Sequence, residues 1–165
     1  TKVRSVGAAL GVEDKATTLA AELEADFAAL AEHNGQIETP KRVLFILSTQ
    51  GGKIQASGTD TAANGIIGLA GAENAITEYS GYKALTEEAI IGAAPDAIVM
   101  MDRGGDHGAT DAELLANPAI ALTPAAENKA IYRLDGAYLL GFGPRTADAA
   151  TELSQLLYGE QVHGN

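Results

Sequence analysis

Arg145 stands in the run Gly141-Phe142-Gly143-Pro144-Arg145-Thr146, between an apolar stretch at 137–140 and the last helical pattern of the chain. A guanidinium stays charged at every physiological pH. It presents its N–H donors as a planar fork, so it can hold a carboxylate through two parallel hydrogen bonds, a geometry lysine cannot match. A glycine-rich turn leading into a helix adds free backbone N–H groups, and at the carboxyl edge of an α/β sheet such turns hold anionic ligands. The same residues would also serve an arginine that only caps a turn. A second constellation, Asp102-Arg103-Gly104-Gly105-Asp106-His107, offers carboxylate and imidazole groups that suit zinc, iron or manganese. Its spacing matches no recognised ligand pattern, so a solvated polar loop is the preferred reading and no metal site is expected.

Other chemistries fail on residue types. Gly141-x-Gly143 lacks the third glycine and the distant acid of a dinucleotide fingerprint. The chain contains no Gly-x-Ser-x-Gly elbow, His-Glu-x-x-His helix or P-loop, so an enzyme would lack a nucleophile, a metal and a cofactor cradle. With no cysteine there is no disulfide, thiolate zinc site or cysteine nucleophile. His33 falls at a helix end and His163 in the tail, and neither suggests catalysis. Eleven basic against twenty-two acidic residues give a formal charge of -11, which repels nucleic acid and anionic lipid. No apolar run approaches the roughly 20 residues of a membrane span, and no apolar leader follows Thr1-Lys2-Val3-Arg4, so a soluble chain without membrane insertion is expected.

The elements that must position Arg145 can be read from hydrophobic spacing. At 165 residues and 46% hydrophobic content the chain suffices for one compact domain with an appendage. Ala16, Leu19, Ala20, Leu23, Phe27, Leu30 and Ala31 recur at intervals of three and four, which predicts a long helix over 13–33, with Glu13 and Asp14 in its first turn and Asn34-Gly35 at its end. Continuous apolar runs at 43–47 and 97–101 predict strands covered on both faces, and 130–134 a third. Between them, Thr59-Asp60-Thr61 starts a helix at 62–69 that Gly71 stops, and Thr86-Glu87-Glu88 opens another to about Gly92. Asp135-Gly136 reads as a tight turn into Tyr138-Leu139-Leu140, and residues 146–158 as a closing amphipathic helix. Strands separated by helices imply a three-layer, Rossmann-like α/β lobe with a mainly parallel sheet.

Several of these stretches resemble one family. Gly58-x-Asp60-Thr61 with its helix to Leu69-Ala70-Gly71-Ala72-Glu73-Asn74-Ala75, then Tyr82-Lys83-x-Leu85-Thr86-x-Glu88, then Ala94-Pro95-Asp96-Ala97-Ile98-Val99, is similar to the C-terminal lobe of periplasmic substrate-binding proteins of the helical-backbone class. These serve importers of iron chelates and cobalamin. Leu122-Thr123-Pro124-Ala125 and Leu140-Gly141-Phe142-Gly143-Pro144-Arg145-Thr146 resemble the hemin-binding branch in particular, which hands haem to an ABC permease.

The resemblance implies that residues 1–34 are the end of an N-terminal lobe plus the long connecting helix, that residues 40–160 form the C-terminal ligand-binding lobe, and that the rest of the N-terminal lobe is absent. The tyrosine that usually ligates haem iron would come from that lobe, so this one is expected to hold no metal ligand and no resident cofactor.

Loops after parallel strands converge at the carboxyl edge, which puts 48–52, 103–105 and the Arg145 turn around one crevice. Haem needs an apolar wall and cations for its propionates. Met100 or Met101, Phe142 and Tyr82 could supply the wall, Arg145 or Arg103 the charge, and Gly143 and Gln50 lie in the bordering turns. The resemblance also marks Glu88, with Glu87 beside it, as the exposed acid that docks on the permease, although any acid in a first helical turn is favoured by the dipole. The implied function is periplasmic capture of haem. The alternatives are a ferric siderophore or cobalamin, or a small phosphate- or nucleotide-binding α/β enzyme.

Overall fold

A computed structural model describes residues 2–102 and 109–159. Its centre is the pair of strands β1 (Arg42–Ser48) and β5 (Ala97–Asp102), the two long apolar runs of the chain. Side chains alternate along a strand, so each run feeds both faces of the sheet. Val43, Phe45, Ala97 and Val99 enter one core while Leu44, Ile46, Ile98 and Met100 enter the other. Six strands form one sheet, with β2 (Gln55–Ser57), β3 (Glu73–Asn74), β4 (Tyr82–Ala84) and β6 (Ile131–Asp135) joining the central pair.

The main path runs β4-β2-β1-β5-β6, and β3 pairs with the start of β1. Strands β1, β3, β5 and β6 are parallel; the apolar runs predict β1, β5 and β6, whereas β3 is two polar residues that the spacing does not foretell. The pairings of β2 with β1 and with β4 are antiparallel, which the spacing does not foretell because these strands are three residues long and partly polar. The α/β fold with a mainly parallel sheet is what the sequence led us to expect, and the antiparallel edge is an addition to it.

Helices cover both faces. Against the first core lie α3 (Ala62–Leu69), α8 (Gly136–Leu140), α9 (Thr146–Tyr158) and Leu30 of α2 (Glu13–Asn34); against the second lie α4 (Glu87–Ala93), α5 (Asp111–Leu115), α6 (Pro118–Ala121) and α7 (Pro124–Glu127). Their starts are set by caps that satisfy orphan backbone N–H groups. The hydroxyl of Thr61 accepts from Asn64 N at 2.9 Å and that of Thr86 from Ala89 N at 3.2 Å. Thr110 and Glu113 cap α5 reciprocally.

The expected tight turn at Asp135-Gly136 is instead the start of α8. The Asp135 carboxylate accepts from Tyr138 N at 2.7 Å, and that capping bond favours a helix over a hairpin. The long helix α2 spans 22 residues, about 33 Å at 1.5 Å per residue. It crosses α1 (Lys2–Ala9) where Gly7 meets Ala16, a contact so close that a side chain at position 7 has no room. Only Ala16, Ala20 and Leu30 of its apolar stripe are buried, and Leu19 remains 36% exposed. Among the described residues no helix is long and apolar enough to cross a membrane.

Candidate functional site

The last helix fixes the orientation of the Arg145 turn. Tyr158, at the far end of α9, accepts a hydrogen bond from Lys41 N at 2.9 Å and donates to Gly71 O at 2.9 Å. Lys41 directly precedes β1, so the end of α9 sits at the amino edge of the parallel strands and its start at the carboxyl edge. The turn at 141–145 therefore opens on the same side as the segments that follow β1 and β5.

Three contacts hold this turn. Gly143 O accepts from Thr146 Oγ1 at 2.7 Å and from Thr146 N at 3.1 Å, and Thr146 is itself buried. Phe142 has φ of +44°, a conformation that L side chains rarely adopt and that costs on the order of 1–3 kcal/mol. Its ring lies over Gly65 of α3, where an added Cβ would come within 3.0 Å of Cζ, so a side chain at position 65 would push the ring aside. Arg145 completes the set, its guanidinium carbon over the Tyr138 ring at 5.3 Å from the centroid.

Arg145 and Phe142 are exposed, the latter at 48%. Among the described residues Arg145 has no carboxylate within ion-pair distance, and its side chain makes no helix-capping hydrogen bond. Turn capping therefore does not account for the guanidinium. Tyr138 is half-buried, and its phenol is raised above the ordinary tyrosine value by burial first and by the charges of Glu152 and Asp148 next, while Arg145 pulls it down.

Arg145, Gly143 and Phe142 thus share one turn. Met101 lies near the carboxyl end of β5, its sulfur against Gly136 at the start of α8, and is only partly buried. Gln50 belongs to the short 3-10 turn Gln50–Gly52 after β1. That strand is two places from β6 in the sheet, about 10 Å at normal strand spacing. Tyr82 is 37% exposed on β4, the opposite edge strand, with β2, β1 and β5 between it and β6. It is not gathered beside the Arg145 turn, because β4 pairs with β2 rather than entering the parallel half of the sheet.

Arg103, Asp106, His107 and His163 lie outside the described residues. Among the described residues no group of three His, Asp or Glu side chains could hold a metal ion. Glu88 is exposed in the first turn of α4 beside Glu87. Because β4 runs parallel to β1, α4 also starts at the carboxyl edge, so Glu88 and Arg145 share that rim from opposite faces of the sheet. On the Arg145 face a groove of about 680 Å³ separates α2 from α9, lined by His33, Asp26, Asp148 and Glu152 among others.

Sequence reasoning missed Tyr138 and Asp135. The available signal was the helix-capping pattern of an Asp three residues before a Tyr, which also brings Tyr138 under the arginine seven residues on.

The family described as "Periplasmic binding protein" matches residues 1–138. This chain belongs to the periplasmic binding protein family. Among solved structures, this family member resembles the periplasmic heme-binding protein BhuT in complex with two hemes, with 36% identity and a TM-score of 0.89 over 96% of this chain and 60% of that one. It is equally similar in sequence to the periplasmic heme-binding protein RhuT from Roseiflexus sp. RS-1 in apo form, at 36% identity and a TM-score of 0.86 over 96% of this chain and 61% of that one. A curated relative is the uncharacterized ABC transporter substrate-binding lipoprotein YvrC of Bacillus subtilis (strain 168), 26% identical over 94% of this chain and 48% of that protein. This binding protein chain therefore spans about half to three fifths of the length of such relatives. They are binding proteins and not enzymes, in keeping with the missing catalytic motifs.

Proposed function

We propose that the chain is the C-terminal lobe of a periplasmic substrate-binding protein that captures haem and delivers it to the permease of an ABC importer. The observation that carries this reading is the Arg145 turn. The exposed Phe142 ring and a guanidinium with no acidic partner among the described residues belong to one turn, in a chain 36% identical to the heme-binding BhuT and RhuT. The ring suits a porphyrin face and the fork a propionate. Met101 adds apolar surface near the same rim. In this reading α2 is the helix that connects the lobes, the iron ligand belongs to the other lobe, and Glu88 docks on the permease.

The test is a spectral titration of the full-length, two-lobed protein with hemin. Saturable binding with a perturbed Soret band is expected. A charge-assisted hydrogen bond is worth about 1.5–3 kcal/mol, so Arg145→Ala should weaken hemin by about 10- to 100-fold. A wild-type protein that prefers a ferric siderophore or cobalamin over hemin would overturn the haem assignment, and unchanged affinity in Arg145→Ala would remove the arginine from the site.

A further inference from the structure

We infer that Tyr138 is a positioning residue for Arg145, its ring holding the guanidinium so that the donor fork stays available to a carboxylate ligand; this rests on the reading of the Arg145 turn as the anion-binding part of the site. The contact is the 5.3 Å separation of the guanidinium carbon from the ring centroid. A guanidinium has five N–H donors. An acidic neighbour would occupy some of them, whereas the face of a ring attracts the cation through its quadrupole and occupies none. Arg145 thus has a fixed seat and, among the described residues, no carboxylate on its fork.

The seat is itself fixed. Asp135 binds Tyr138 N at 2.7 Å, which anchors the backbone beneath the ring, and Leu139 next to it is buried in the core. On the other side, the Thr146 bonds to Gly143 O hold the backbone that carries Arg145. The charges of Glu152 and Asp148 raise the phenol, and negative charge near the ring favours a cation on its face. Ligand recognition therefore involves a residue that need not touch the ligand. Its signature is discrimination between an acid and its ester, because fork geometry matters to a carboxylate and not to a neutral ester.

The experiment measures the affinity of the full-length protein for hemin and for hemin dimethyl ester, whose propionates are masked. Wild type should prefer the free acid. Tyr138→Phe, which keeps the ring, should hold that preference within about twofold, whereas Tyr138→Leu should lose about tenfold of it at unchanged affinity for the diester. Full preference in Tyr138→Leu would overturn the inference, and so would equal losses in the Phe and Leu variants, since the ring would then not be the cause. A wild-type protein that binds hemin and its diester alike would instead defeat the reading of Arg145 on which the inference rests. A measurement that needs no variant is the NMR shift of the Arg145 Hδ and Hε protons, which the ring current should move upfield. Random-coil shifts there would overturn the proposal.

Discussion

At the level of single residues, the turn combines strain with close packing. Gly65 can be tested without touching the turn itself. In Gly65→Ala the new methyl would meet the tip of the Phe142 ring at 3.0 Å, a contact the ring can relieve by swinging outward. Removing a glycine from a helix interior adds about 1 kcal/mol of stability, so the thermal midpoint should rise by up to about 4 °C while hemin affinity of the full-length protein falls. Calorimetry and titration together check the pair, and unchanged affinity would show that the ring position does not matter. At this scale the sequence is informative about charge and uninformative about seating. Arg145 stood out because its neighbours are glycine and proline, whereas Tyr138 looked like one more member of an apolar run. Its use as a platform depends on the helix that Asp135 caps and on the positive φ of Phe142, and only the cap leaves a trace in the local sequence.

Among the elements, α9 is tied at its end to two distant segments of the chain. In Tyr158→Phe the Lys41 N–H and the Gly71 carbonyl lose their partner, which costs about 1–3 kcal/mol for buried groups left unpaired. A fall of several degrees in the thermal midpoint is expected, and no fall would mean that solvent replaces both bonds. Burial is also the largest cause of the raised Tyr158 phenol, and Tyr138 and Tyr79 shift the same way for the same reason. The folded state therefore keeps these protons more tightly than the unfolded chain. Their contribution is whole below the ordinary value of 10.0 and is lost as pH rises through the folded values, so stability should decline above about pH 10.

Glu113 works in the opposite sense. Hydrogen bonds from the Thr110 backbone and then its hydroxyl hold the carboxyl below its ordinary value, so the α5 cap contributes above the unfolded carboxylate value and is lost as pH falls through the folded one. Strands β1 and β5 and helix α9 could be read from spacing because each buries a long apolar stripe, and α3 and α4 because threonine caps mark their starts. Strands β2 and β4 could not, since three residues carry no period and their pairing is settled by tertiary context.

For the whole molecule, the carboxyl edge of the sheet carries two functions in the proposed reading, one on each face. Ligand recognition belongs to the Arg145 turn and permease contact to Glu88. Rim charges govern encounter and orientation more than affinity. Glu88→Ala should therefore reduce hemin transport in cells while leaving hemin affinity within about twofold, and a matching Glu87→Ala variant tells the two acids apart. Normal uptake by Glu88→Ala would free that acid from the docking role. The overall architecture was the most legible feature of this sequence, because parallel strands buried on both faces need long apolar runs and covering helices, and both leave strong periodic traces.

The left-handed backbone at Phe142 sets two selective pressures against each other. Glycine there would relax the main chain and please any screen that ranks variants by heat resistance, yet it would let the loop wander and remove the aromatic surface beside the cation. Directed evolution for robustness alone would thus tend to erase the recognition loop, and the persistence of an awkward phenylalanine in active variants would mark where capture of the cargo outweighs comfort of the fold.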